Sequence, residues 1–210
     1  MSSPKSVAVI ITSTRAARIG FGVGQIVQKI LEKDNDANEI TLNTVDLAKF
    51  KLPVYDEGVH PAMVPYKASF ANEHSKIWSA EIAKHAGYIL VIPEYNYGLS
   101  GGTKNAIDYL MNEWKGKPVV VISYGIHGGA HASEQAYEVL SRMGLRVCPT
   151  LPRLAYHGGA GPDMFLAMEG KIGDDTRKDM EGKAPDILKS FGELKAALKQ
   201  EDLYVRPRAW

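Results

Sequence analysis

Apolar residues recur along this chain in two rhythms. Ser6–Thr12 (SVAVIIT), Gly87–Pro93 (GYILVIP) and Lys117–Tyr124 (KPVVVISY) are short, nearly unbroken apolar runs rich in Val and Ile. Such runs predict strands buried on both faces, which is the pattern of a parallel sheet covered by helices. Ile40–Asp46 alternates more, as a strand nearer a sheet edge does, and Arg146–Thr150 predicts a fifth strand. Between these runs the spacing becomes helical. Val23, Ile26, Val27 and Ile30 share one helix face, as do Ile107, Leu110, Met111 and Trp114, and then Ala136, Val139, Leu140 and Met143. Trp78 and Ile82 mark a thinner stripe. Pro185 sits where a first-turn proline belongs, ahead of Ile187, Phe191, Leu194 and Leu198.

Strands alternating with helices require right-handed crossovers and a sheet covered on both faces. The expected fold is α/β, a flavodoxin-like three-layer sandwich with a five-stranded parallel sheet of order 2-1-3-4-5. It forms a single domain over residues 1–210, ending in a helix and a short tail. Two segments are irregular: Lys51–Asn72, and Tyr156–Asp175 with its five glycines. Long loops in compact domains are functional or mobile. The first is expected to serve as a lid or subunit contact through Tyr55, Tyr66 and Phe70.

Charge and cysteine content narrow the class. Lys+Arg 25 against Asp+Glu 24 leaves a net charge of +1, so neither nucleic acid nor an anionic membrane surface is expected as a partner. Cys148 is the only cysteine; it can form no internal disulfide and reads as a small buried hydrophobe. No apolar run reaches the ~20 residues of a membrane span, and no secretory signal is recognised at the N-terminus. A cytoplasmic protein is the expectation.

In an open α/β sheet of this order, ligands bind beyond the carboxyl ends of strands 1 and 3. The first of those loops, Thr12-Ser13-Thr14-Arg15-Ala16-Ala17-Arg18-Ile19-Gly20, carries three hydroxyls and two guanidinium groups directly before a helix. Hydroxyls, backbone N–H groups and the positive end of a helix suit a phosphate, and Arg15 or Arg18 can add bidentate charge. A polar loop with an ordinary helix cap is the plainer alternative. The dinucleotide pattern GxGxxG fails, because Gly20 and Gly22 are followed by Gln25; the Walker pattern fails because Thr103, not glycine, precedes Lys104. Asp46, which ends the second strand, reads as a strand cap. The loop after strand 3 runs Pro93-Glu94-Tyr95-Asn96-Tyr97-Gly98 and brings flat aromatic faces with amide polarity, which suits a planar heteroaromatic ligand. The glycines of Gly125-Ile126-His127-Gly128-Gly129 allow close backbone approach. His127 and His131 lie four apart, but Gly128 and Gly129 break the helix that would align them on a metal, and none is expected.

At these residues the chain resembles the NADPH-dependent FMN reductase family. Thr12-Ser13-Thr14-Arg15 is similar to the family's Gly-Ser-x-Arg loop. Pro93 to Asp108 is similar to its Pro-Glu-Tyr-Asn segment, with Lys104-Asn105-Ala106-Ile107-Asp108 standing unchanged. Val45-Asp46-Leu47, Leu52-Pro53 and the stretch Ser123 to Gly129 extend the likeness over roughly residues 6–150. The chain departs at Thr12, where the family usually has glycine. The resemblance implies noncovalent FMN, with NADPH or NADH as co-substrate. Ser13, Arg15, Arg18, Ile19 and Gly20 would hold its phosphate. Pro93, Glu94, Tyr95, Asn96 and Tyr97 would contact the rings, while Ser123, Tyr124, Gly125, Gly128 and Gly129 would close over their far edge. The implied activity passes hydride from nicotinamide to FMN and then two electrons to a quinone, azo compound or free flavin, in ping-pong order. No side chain is assigned a catalytic role. The implied assembly is a homodimer, and Tyr97, Leu99, Tyr109, Met111 and Trp114 offer more apolar surface than one core face needs. A flavodoxin-type electron carrier and an FMN-binding redox-responsive interaction module remain the alternatives.

Overall fold

The computed structural model describes residues 3–36, 39–64 and 68–200. In chain order the first elements are β1 (Lys5–Ile11), α1 (Gly20–Glu32), β2 (Ile40–Asp46), α2 (Glu73–Ala83), β3 (Gly87–Tyr95), β4 (Gly98–Leu99) and α3 (Gly101–Asp108). There follow β5 (Pro118–Gly125), α4 (Ala130–Arg142), β6 (Arg146–Val147), β7 (Arg153–Ala155), α5 (Pro162–Met168), α6 (Asp174–Gly182) and α7 (Ala184–Lys199). The parallel sheet runs β2-β1-β3-β5-β6. Counting those strands alone gives the expected order 2-1-3-4-5. Alternate residues of each strand face opposite sides. Ala8, Ile10, Leu90 and Ile92 pack beneath residues of α2, α3 and α4. Val7, Val9, Ile89 and Val91 pack against α1, α6 and α7.

Three expectations need correction. The fifth strand is split: β6 and β7 both pair with β5, with Val119 opposite Val147 and then Ser123 opposite Arg153. The neighbour of β5 therefore carries two extra residues between those points. Pro149 and Pro152 lie in the gap, and a proline has no N–H to give to a ladder. Second, α3 stops at Asp108, before Leu110, Met111 and Trp114. The Trp114 indole N–H turns back onto the Ile107 carbonyl, 3.3 Å away, which also accepts from Leu110 N–H. Of the residues expected at a subunit contact, Tyr109 and Trp114 are buried in the core, Leu99 and Met111 are half-buried and Tyr97 is exposed. Third, the segment Tyr156–Asp175 contains α5, which opens at Gly161 with Pro162 in its first turn.

The 51–72 segment is tied inward. Phe70 joins the core, and Tyr55 packs edge-on against Tyr109, with ring centroids 5.0 Å apart. Asn105 clamps the same stretch, accepting from Tyr55 N–H and donating to the Pro53 carbonyl. These two aromatics pack inward instead of forming a lid; Tyr66 lies outside the described residues.

Candidate flavin site

A cleft of about 470 Å³ opens at the carboxyl ends of β1, β3 and β5, where the strand order reverses. It lies within the usual range for small-molecule sites, ~300–1,000 Å³. Its lining brings together Arg15, Arg18 and Ile19 from the first loop, Glu94 and Tyr95 from β3, and Tyr124 and Gly125 from β5.

The first loop is shaped by close approaches. Ser13 is fully buried, and a Cβ added at Gly20 would fall 2.0 Å from Ser13 Oγ and 2.6 Å from Tyr124 Oη. Only glycine fits there. Thr12 is buried as well. Its hydroxyl donates to the Val91 carbonyl and accepts from Thr103 Oγ1 at 2.8 Å, while Ser100 Oγ lies 2.7 Å from that same Thr103 oxygen. The extra methyl and hydroxyl that Thr12 brings are thus absorbed into a hydroxyl chain joining β1 to the start of α3.

The two arginines differ. Arg18 is bound to Asp46 at 2.8 Å, and Asp46 also accepts from Ala48 N–H at 3.2 Å. Asp46 therefore acts as the cap expected of it and also fixes Arg18. Arg15 meets no carboxylate among the described residues; its guanidinium carbon lies 3.5 Å from the centroid of the Tyr95 ring. Behind it, α1 starts with no side-chain cap and no acid in its first turn. A free guanidinium and an uncapped helix N-terminus on one cleft wall are the donor set a phosphate needs.

Tyr95 begins a tight hairpin. Asn96 and Tyr97 both adopt positive φ, 50° and 60°, and β4 pairs back on β3 with Glu94 opposite Leu99. Two left-handed residues make the type I′ geometry that matches strand twist, at a strain cost for Tyr97. Leu99 N–H donates to Gln135 Oε1 and helps hold the turn. Asn96 and Tyr97 stand exposed at its tip, outside the cleft lining, with the Tyr97 ring edge-on to His131. Pro93 is buried behind the hairpin, opposite Tyr124 in the sheet. One Glu94 oxygen accepts from His131 N–H at 2.8 Å and Ala132 N–H at 3.1 Å, so this carboxylate caps α4. Ser123 is buried and donates to the Gly128 carbonyl, holding the turn in which Gly128 and Gly129 both have φ near 75°.

The remaining wall comes from residues that the sequence reading did not single out: Ile126, Tyr156, Met164, Ala167 and Met168. Tyr156 directly follows β7 and was accessible to the same carboxyl-end rule; the split strand hid it. Burial pushes the Tyr156 phenol up to about 12, with the neighbouring Tyr95 adding to it and Arg15 opposing. Burial likewise raises Tyr95, against the pull of Arg15 and Arg18, and raises Tyr124, whose hydroxyl is hydrogen-bonded to Ser13. All three phenols are neutral at physiological pH.

A phosphate-suited turn and flat tyrosine faces at the switch point of a flavodoxin-like sheet define a class: proteins that hold a planar ligand bearing a phosphate tail. Residues 6–155 match the model of the NADPH-dependent FMN reductase family. The chain is 48% identical over 198 residues to the NAD(P)H-dependent FMN reductase ntnL of Nectria sp., covering 92% of this chain and 97% of that protein. It is 30% identical over 187 residues to a quinone reductase of Pseudomonas putida strain KT2440, covering 84% and 89%. In fold it is similar to the flavoenzyme FerB, an NAD(P)H:(acceptor) oxidoreductase from Paracoccus denitrificans. That match has a TM-score of 0.61 at 22% identity and covers 94% of this chain and 98% of the other. The chain belongs to the NADPH-dependent FMN reductase family and is an FMN-dependent NAD(P)H oxidoreductase.

Proposed function

We propose that this single-domain enzyme draws reducing equivalents from NADPH or NADH and passes them as electron pairs to a small planar acceptor: a quinone, an azo compound or free flavin. The observation that supports this is the cleft itself. Arg15, the uncapped start of α1 and two half-buried tyrosine rings converge on a space open to solvent on one side. FMN held in this cleft would supply a ring system for hydride uptake and two-electron release. Ser13, Arg15, Arg18, Ile19 and Gly20 would hold its phosphate end. Arg15, with no carboxylate partner among the described residues, would be available to pair with the phosphate, while Arg18, held by Asp46, would supply fixed positive charge beside it. Within Pro93 to Tyr97, Glu94 and Tyr95 would form the ring side, with Pro93 behind them and Asn96 and Tyr97 at the rim, and Ser123 to Gly125 and the Gly128–Gly129 turn would lie along the far edge. Backbone N–H groups there stabilise charge that develops on reduction, with no reorganisation at the moment of reaction. Nicotinamide and acceptor would use the open side of the cleft in turn, in ping-pong order.

The hairpin tip supports a homodimer. Tyr97 is 74% exposed in a strained turn beside the cleft, where a second chain would cover it. A monomer in light scattering at micromolar concentration would end that part of the reading. The same reading places the enzyme in the cytoplasm, where reduced nicotinamides are regenerated. The deciding experiment mixes the flavin-loaded protein anaerobically with NADPH or NADH in a stopped-flow cell. Rapid bleaching, reversed by added quinone, is expected. Flavin inert to both nucleotides would refute the proposal and leave an electron carrier or an interaction module.

A further inference from the structure

The family match ends at residue 155, yet the cleft does not. Beyond that residue Tyr156, Met164, Ala167 and Met168 complete its lining. Helix α5, which carries the last three, is apolar in sequence (PDMFLAM) but contains no buried residue. Of its side chains only Ala167 packs against the core, while Met168 is 68% exposed. The helix is nonetheless held in a fixed place. Asp163 accepts from Thr176 N–H at 2.9 Å and His157 N–H donates to Thr176 Oγ1 at 2.9 Å, so the approach to the helix and its first turn are tied to α6. At its exit, Gly170 has φ +80° and lies so near the first loop that an added Cβ would come within 3.3 Å of Arg18 N. Ile172 reaches the α1 backbone, 2.7 Å from where a Cβ on Gly22 would stand. An apolar helix anchored beside the phosphate loop, with a half-buried and an exposed thioether lining a cleft, is an incomplete interface. Thioethers are polarizable and pack well against aromatic rings.

We propose that α5 is a second wall of the flavin site and that Met164 and Met168 contact bound FMN, setting how firmly the enzyme retains it. This rests on reading the cleft as the FMN site. The wall makes FMN a resident group, not a freely exchanging one, because apolar cover that closes over a ligand slows its departure.

The test uses the full chain loaded with FMN, then diluted, with released flavin read by its fluorescence. Three variants accompany the wild type: Met164→Ala/Met168→Ala, Met164→Gln/Met168→Gln, and Phe165→Ala, whose ring is 60% exposed and does not line the cleft. The glutamine pair keeps side-chain length, so it separates apolar contact from helix folding. Both methionine pairs are expected to weaken FMN retention about tenfold, equivalent to ~1.4 kcal/mol, with Phe165→Ala unchanged. Methionine variants that retain FMN like the wild type overturn the wall and leave the site reading standing. An equal loss from Phe165→Ala also overturns it, since the effect would then belong to the helix as a whole. A wild type that holds no FMN brings down the site reading and the wall together.

Discussion

The substitution Gly20→Ala tests the geometry of the phosphate loop most directly. The new methyl would sit 2.0 Å from Ser13 Oγ, 2.6 Å from Tyr124 Oη and 3.0 Å from Ser13 Cβ. Ordinary contacts begin near ~3.5 Å, so both neighbours must give. Ser13 is fully buried and Tyr124 nearly so, and neither can swing into solvent. Overpacking of this kind costs about 1–3 kcal/mol. Alanine's better helix propensity returns at most about 1 kcal/mol, and less at a helix start. The net loss should be about 1–2 kcal/mol, which at this chain length lowers Tm by roughly 2–8 °C. A double-mutant cycle isolates the cause. Ser13→Ala removes the nearest atom, so the combined variant should be more stable than additivity predicts by about 1 kcal/mol. Thermal unfolding followed by circular dichroism reads both. Gly20→Ala melting at or above wild type, or strict additivity with Ser13→Ala, would show that the loop relaxes freely and is not the fixed mould described.

Three further outcomes follow from the same packing. Thr103→Val leaves the buried hydroxyls of Thr12 and Ser100 without their shared partner and should cost about 1–3 kcal/mol in urea unfolding; a neutral effect would deny the hydroxyl chain. Cys148 is buried and its thiol is pushed up to about 12, chiefly by burial, so a disulfide reagent at pH 8 should label it only after denaturation. His85 is buried between Ser6 and Glu81, with Lys84 and Lys117 nearby, and burial holds it below its ordinary 6.5. The unfolded chain therefore takes up this proton first, and stability present above pH 6.5 is lost as pH falls toward the depressed native value. His157 works in the opposite sense: Asp179 raises it, and its contribution is lost as pH rises. Replacing His85 with Gln should flatten the acid limb of a urea-midpoint profile; an unchanged slope would refute the assignment.

What the sequence makes legible here follows from how local each determinant is. The three central strands announce themselves because a strand buried on both faces needs a nearly continuous apolar run, and β1, β3 and β5 each contain one. The residues of the first loop and of β3 could be placed in one cleft because strand order alone fixes where carboxyl ends meet. The misses are cases where a distant partner decides. Trp114 sits at helical spacing, yet its indole N–H finds the Ile107 carbonyl and the chain turns. Glu94 reads as a ring contact by its motif, but two N–H groups of α4, brought near only by the fold, donate to its carboxylate, which caps that helix. Arg18 and Arg15 are indistinguishable in the sequence and separate only when Asp46, at the end of β2, pairs with one of them. Helix α5 was the hardest to see, since seven residues between glycines carry too few turns to show a period. Of its apolar side chains only Ala167 packs against the core, which leaves its methionines for the wall proposed above. A segment that looks like a loop by periodicity, and like a core by composition, is for that reason worth testing as a binding wall.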